Sequence, residues 1–260
     1  MANNSIVYDE PEVIVEKKSG VAFMRLARPP VNAYNRSMYD QTRRVFQRIS
    51  DDPEVNVVLL TGDGPVFCGG NDLHEFVDFS FNDATEHLAH VRICLNSMYD
   101  CPVPIVGAIN GAAVGTGFAL ASLCDIRVSA QSAVYALPEI DVGVMGGARH
   151  TMRITPQGIT RLMMYTGRRL TAAEALAANM VEEVVPDSDV LPRARALAEE
   201  IASKNPAALR FAKEGLNRVE SMNLKEGYEF ECTLTAGLRK VENIGAAAAG
   251  ELKKRSSSRQ

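Results

Sequence analysis

The sequence has no excess of positive charge: 28 basic side chains face 32 acidic ones, for a formal net charge of -4. No global field exists to draw in a phosphate backbone, so nucleic acid is not an expected partner. Cysteines are few, odd in number and without close metal-ligand spacing (Cys68, Cys94, Cys101, Cys124, Cys232). They read as reduced, mostly buried thiols of a cytoplasmic protein rather than a disulfide framework or a metal centre. Histidine is scarcer still, at four residues. His87 and His90 are three apart, yet no third ligand follows at useful spacing, and no metal is expected. No long uninterrupted apolar run occurs, since the stretch from Val103 to Leu123 is broken by glycines, Pro104 and Asn110. It predicts a strand, a turn and a short helix instead of a membrane span. Residues 1–20 carry Asp9, Glu10, Glu12 and Glu16 and lack a basic start followed by an apolar run, so they do not read as a targeting signal.

What is present is the composition of a globular protein: 260 residues, 46% hydrophobic and 23% charged, enough chain to bury a full core without covalent staples. Val13–Glu16 and Val21–Leu26 predict a hairpin turning through Ser19-Gly20. A helix is expected from Ser37 to about Ile49, a buried strand over 55–61, and a glycine-rich turn from Gly62 through Asp72. After a long helix over about 83–100 the pattern repeats: a strand from Pro104 to Ile109, a turn holding Gly115-Thr116-Gly117, a short apolar helix to Cys124, and a strand from Ile126 to Ser129. This alternation predicts an α/β fold with a largely parallel sheet system. Beyond about 157 only Val181–Val185 reads as strand. Thr171 with Glu174 forms a capping-box signature, Asp189 is a candidate cap, and Asn205-Pro206 starts a further helix. We expect an α/β core over 1–189 and a helical trimerisation or lid segment over 190–260, with the tail from Lys253 solvated and frayed.

The two strand, glycine-turn and helix units carry the chemistry. In each, glycine lets the backbone bend sharply and approach a ligand, and a helix then begins, so N–H groups point out of the turn. Two such turns, each offering one donor, can build an oxyanion hole, although taken singly each can equally be a plain tight turn.

Taken together, the segments resemble the crotonase (enoyl-CoA hydratase/isomerase) family. Phe67-Cys68-Gly69-Gly70-Asn71-Asp72-Leu73 is similar to its first motif, Pro102 through Leu120 with Cys124-Asp125-Ile126 to its second, and Leu137-Pro138-Glu139-Ile140 with Asp141-Val142-Gly143-Val144 to its third. Arg28-Pro29, Asn32-Ala33 and the helix from Leu170 to Ala175 extend the resemblance over about residues 10–250. It implies an α/β crotonase-like fold of repeated ββα units (the ClpP/crotonase fold) with a helical C-terminal segment. It also implies a homotrimer or dimer of trimers, and an acyl-CoA thioester ligand with no cofactor beyond the coenzyme A of the substrate. By the same resemblance the backbone N–H groups of Asn71 and Thr116 hold the thioester oxygen, with Gly70, Asp72, Gly115 and Gly117 shaping the substrate site. Thr116 stands where the family has glycine.

The resemblance places two glutamates in hydratases, and here the first position is Ala119 while the second is Glu139. One carboxylate can move one proton, so double-bond isomerisation with Glu139 as the single acid/base is the leading expectation, provided neighbours such as Leu137 and Val142 desolvate it. A hydratase-lyase acting on an enoyl- or hydroxycinnamoyl-type CoA and a catalytically silent acyl-CoA-binding homologue are the alternatives. For Glu139 the plain structural alternative is an exposed or capping carboxylate. Gly147 occupies the position of the aspartate that dienoyl-CoA isomerases and 4-chlorobenzoyl-CoA dehalogenases use. Arg149 and His150 stand where the family has small residues, as accessory groups for a substrate or as surface caps of the next helix. Asp72 is expected to cap the helix it starts, Cys68 to be a packed small residue, and Lys213 and Lys225 are candidates for meeting CoA phosphates.

Overall fold

The computed structural model describes residues 5–77 and 80–241. The tail from Lys253 lies outside them. The chain divides into two compact units, residues 1–203 and 204–260.

In the first unit, seven strands form one sheet. Strands β1 (Ser5–Asp9), β2 (Val13–Lys18) and β3 (Val21–Leu26) are antiparallel neighbours. The β2–β3 hairpin turns through Ser19 and Gly20, both at positive φ, as the Ser-Gly pair predicts. From β3 onward the sheet is parallel, through β4 (Val57–Gly62), β5 (Ile105–Ile109) and β7 (Ile126–Ala130) to β10 (Glu183–Val185). Every residue of β4 and β5 is buried, which is why their sequences read as continuous apolar runs rather than alternating ones. A second, three-stranded sheet joins β6 (Ala113–Val114), β8 (Val134–Ala136) and β9 (Arg169–Thr171). These three and β1 were not expected, being two to five residues long, too short to show a period.

Helix α1 (Arg36–Asp51) begins at Asn35, whose side chain accepts the Met38 N–H, and buries Met38, Tyr39, Thr42, Val45, Phe46 and Ile49 along one stripe. It packs against α2 (Phe81–Tyr99), whose Ser80–Asp83 capping box fixes its start. Helix α3 (Thr116–Leu123) is buried at every residue, and the short α4 (Ala148–Thr151) packs on it. Then come α5 (Gln157–Thr166) and α6 (Ala172–Ala177). The Thr171–Glu174 capping box forms as expected at the start of α6: the threonine side chain accepts the Glu174 N–H and the glutamate accepts the Thr171 N–H. Replacing Thr171 with alanine should cost about 1 kcal/mol in urea unfolding, the usual worth of such a cap.

Helix α7 (Val190–Ala202) lies on β3, β4, β5 and β7. The sequence boundary at 189/190 would have counted it with the C-terminal segment, whereas its packing puts it with the sheet, because Val190, Ala194 and Ala198 form a small apolar stripe that the sheet buries. Asp189 does precede α7, but its side chain makes no capping bond and instead accepts the Ser188 hydroxyl. Among the described residues the second unit holds α8 (Pro206–Val219), capped by Asn205 through the Ala208 N–H, packed on α9 (Leu224–Val241). Among the described residues no helix is long and apolar enough to cross a membrane.

Candidate active site

The turn after β4 is built by backbone contact that tolerates no side chain. A Cβ on Gly62 would stand 2.3 Å from the Phe67 carbonyl oxygen, and one on Gly111 would stand 2.0 Å from that of Pro65. Two asparagines staple the turn. Asn110 donates to the Gly62 and Gly64 carbonyls at 2.9 and 2.8 Å, and Asn32 donates to those of Asp63 and Val66 at 2.9 and 2.8 Å. This turn is then tied to the one after β5, since the Cys68 N–H donates to Ala112 and the Val114 N–H to Cys68, each at 3.0 Å.

Past that tie the chain reaches Gly70 (φ +99°) and Gly115 (φ +55°), two positions in the left-handed region that favours glycine. They lie against one another: a Cβ on Gly70 would be 3.9 Å from the Gly115 Cα. Each glycine leads directly to one of the expected donors, Asn71 or Thr116. Neither of these N–H groups bonds to an acceptor among the described residues. Thr116 opens α3, so its N–H is one of the helix's unsatisfied first-turn donors and lies at the positive end of the helix dipole. After Asp72 only a single 3-10 turn follows, Leu73–Phe76, rather than the full helix expected there. Asp72 caps it through the His74 N–H at 3.1 Å and pairs with Arg28 at 2.6 Å. Burial pushes its carboxyl upward, but the Arg28 and His74 bonds prevail and hold it below the usual range.

Glu139 reaches this place from the third motif. Its Oε1 would be 3.1 Å from a Cβ on Gly115, so the carboxyl stands directly over the second turn. Its buried Oε2 has no hydrogen-bond partner. Burial raises its pKa above the ordinary carboxylate value, only partly offset by its own backbone N–H. Leu137 is fully buried, whereas Val142 is half exposed. A cavity of about 260 Å³ joins these parts, lined by Gly70, Asn71, Gly115 and Glu139 and closed by apolar Leu73, Phe76, Val114, Val142 and Val144. Asp141 also lines it, which the sequence did not single out; its Oδ2 lies against Gly167, 2.8 Å from where a Cβ would be. Such a cavity sets one desolvated acid beside Asn71 and beside Gly115, the residue before Thr116, an arrangement of the kind that can hold an oxyanion and move one proton.

Other expected residues lie apart from it. Ala119 is buried in α3, and Gly147 packs a left-handed turn on Leu137. Arg149 is exposed, and His150 is half-buried in α4 with a pKa lowered by burial and by Arg153 and Arg149; neither lines the cavity. Cys68 is fully buried and its thiol is pushed up to about 12 by burial, which leaves it un-ionised at neutral pH. His87 is buried, edge-on to Tyr39 and Phe76, and His90 bonds to Asp40 at 3.0 Å. Among the described residues no cluster of three or more potential ligands stands together. Lys213 is buried and Lys225 exposed.

Comparison with known proteins finds relatives over most of the chain. Residues 16–255 match the family model described as enoyl-CoA hydratase/isomerase. The chain is 32% identical over 247 residues to a probable enoyl-CoA hydratase of Mycobacterium bovis, covering 94% of this chain and 95% of that one. It is 34% identical over 208 residues to a carnitinyl-CoA dehydratase of Proteus mirabilis, covering 78% and 79%. The crystal structure of an enoyl-CoA hydratase from Bacillus anthracis superposes with a TM-score of 0.89 at 28% identity, covering 94% of this chain and 96% of that one.

Proposed function

The chain belongs to the enoyl-CoA hydratase/isomerase family, the crotonase superfamily, and we propose that within it this acyl-CoA enzyme moves a double bond with Glu139 as its one acid/base residue. A 3-enoyl-CoA would place its thioester oxygen on the Asn71 and Thr116 N–H groups. The Glu139 carboxylate takes a proton from C2, and the electron pair spreads over the dienolate as negative charge on that oxygen, where the two donors stabilise it. The protonated Glu139 then returns the proton at C4, leaving a 2-enoyl-CoA and a regenerated carboxylate. No cofactor is needed beyond the coenzyme A of the substrate.

The observation that carries this reading is the position of Glu139 over Gly115, with one oxygen unpartnered and the pKa raised by burial. A poised base of this kind exchanges a proton most readily when its pKa approaches the working pH. The test is incubation of 2-enoyl-, 3-enoyl- and saturated acyl-CoA thioesters in heavy water, with mass spectrometry of the products. Glu139-dependent deuterium uptake with a positional shift of the double bond is expected. A product heavier by one water would favour hydration. Binding without any exchange would establish the silent homologue instead.

The pH dependence follows from the same residue. The carboxylate is the base form, so kcat/KM should rise with pH through the Glu139 pKa and level off above it. Because burial raises that pKa, the midpoint should lie above the ordinary glutamate value; a profile flat down to the ordinary value would remove Glu139 from the role.

A homotrimer or dimer of trimers is part of the same proposal. It is supported by the apolar groove of about 370 Å³ between α8 and α9, where Phe211, Leu216, Leu234 and Leu238 line a surface left open among the described residues. Light scattering reads the mass directly, and a monomer would reject the assembly.

A further inference from the structure

Behind the two donor residues lies a side-chain contact that the proposed chemistry has not used. Asn71 and Thr116 both carry polar side chains, and the Tyr39 hydroxyl meets both. It donates to Asn71 Oδ1 at 2.5 Å and lies 2.8 Å from Thr116 Oγ1. Thr116 Oγ1 is itself 3.2 Å from Asn71 Oδ1. The amide oxygen can only accept, so the Tyr39 and Thr116 hydroxyls are its two donors, and whichever proton is not given to Asn71 joins the two hydroxyls to one another. The phenol is fully buried, and burial holds its pKa well above the ordinary tyrosine value, so it stays a donor throughout the working range.

We infer that Tyr39 is a positioning residue that sets the spacing and direction of the Asn71 and Thr116 N–H groups by joining their side chains. Those residues sit on turns that follow two different strands, and the close approach of Gly70 and Gly115 supplies contact but no direction. Hydrogen bonds are directional, and the ring that carries this hydroxyl is clamped: Tyr34 lies 4.9 Å from it and His87 lies edge-on at 5.6 Å. Tyr34 also braces the first turn through backbone, donating to the Gly70 carbonyl at 2.7 Å and accepting the Asp72 N–H at 2.8 Å. Helix α1 and the residue Tyr34 that leads into it therefore brace the turns, and the Tyr39 oxygen meets both donor-bearing side chains at one point. Small errors in such a constellation are expensive, because donors that miss the developing charge by a fraction of an ångström lose most of their effect.

The inference rests on the reading of Asn71 and Thr116 as the donors to the thioester, and its test separates the two. The probe is butyryl-CoA isotope-labelled at the thioester carbonyl, bound to wild-type protein, to Tyr39→Phe and to Thr116→Val, with the carbonyl stretch read by infrared difference spectroscopy. Wild-type protein should shift the stretch to lower frequency, Tyr39→Phe should lose much of the shift, and kcat should fall roughly 10- to 100-fold with KM little changed. Thr116→Val removes the same link from the other side together with the direct Thr116–Asn71 bond and should give at least as large a loss, and the double variant should be no worse than Thr116→Val alone, since the side-chain link between the turns is already broken there. A wild-type carbonyl that is unshifted or a probe that does not bind overturns the donor reading and this inference with it. A normal shift that survives in Tyr39→Phe or Thr116→Val, or a double variant whose losses multiply, overturns the positioning role alone.

Discussion

Glu139→Gln is expected to reduce turnover by on the order of 10²–10⁴-fold, the usual contribution of one general acid/base, while acyl-CoA affinity changes little. Glutamine keeps the shape of the side chain over Gly115 but can neither take nor return a proton. Stability separates this loss from a trivial one. Burial raises the Glu139 pKa in the folded protein, so the protonated form is the one that folding favours. Its stabilising effect is complete below the unfolded-state pKa and is lost as the pH rises through the folded-state value. Above the unfolded-state pKa the cost of ionising this buried carboxyl therefore opposes folding, and the neutral glutamine should raise the melting temperature at neutral pH above that of wild-type protein, with the gap closing in acid. An inactive variant that melts higher at neutral pH would match a desolvated base. One that melts lower would point to a structural role, and one that retains full turnover would remove Glu139 from the chemistry.

The parts of the molecule legible in the sequence are those governed by local rules. The Ser19-Gly20 hairpin, the buried runs of β4, β5 and β7, the Thr171 box and the Asn205-Pro206 start each follow from a few adjacent residues and recur in the structure. Short strands such as β6 and β8 did not, because two or three residues have no period and their pairing is decided by what the rest of the chain brings alongside. Asp189 shows the limit of a local rule: the residue type suits a cap, yet its carboxylate takes the neighbouring Ser188 hydroxyl.

The candidate site divides in the same way. Gly70, Asn71, Gly115, Thr116 and Glu139 were visible through motif order; Gly70, Asn71, Gly115 and Glu139 line one cavity, and Thr116 follows Gly115 directly. Tyr39 was not visible, since a tyrosine on the buried stripe of an amphipathic helix looks like any other core residue. Its hydroxyl matters because of two side chains 32 and 77 residues further on, a coincidence that no spacing encodes. Asp141 escaped notice for a related reason: it lies two residues from Glu139 and only the turn of the chain brings it to the cavity. Arg149 and His150 drew attention by their departure from the family pattern, but neither is among the residues that line the cavity.

Gly117→Ala carries the other large expected effect, and helix propensity alone predicts the wrong sign for it. Gly117 lies within α3 with ordinary helical backbone, where alanine is favoured over glycine by about 1 kcal/mol. Packing decides against it. The added methyl would stand 2.2 Å from the Cys68 carbonyl oxygen and 2.8 Å from its Cβ, and that carbonyl already accepts the Val114 N–H in the tie between the two turns. Neither neighbour is the free end of a flexible chain, so α3 must move away from the first turn. Overpacking of this kind costs typically about 1–3 kcal/mol, occasionally more, and here the strain falls on the segment that carries Asn71. Urea unfolding should show a net loss of roughly 2 kcal/mol, and turnover should fall at least as far as for a misplaced donor, about 10²-fold. Gly158→Ala is the control: that glycine is exposed in the first turn of α5 with nothing within 4 Å of the added carbon, so propensity alone acts and stability should rise by up to about 1 kcal/mol. If the two variants unfolded alike, contact between the second turn and Cys68 would not be what requires glycine at 117. If Gly117→Ala alone fails, the two glycines of Gly115-Thr116-Gly117 serve different ends, the first giving the chain its left-handed bend and the second letting α3 start against the first turn.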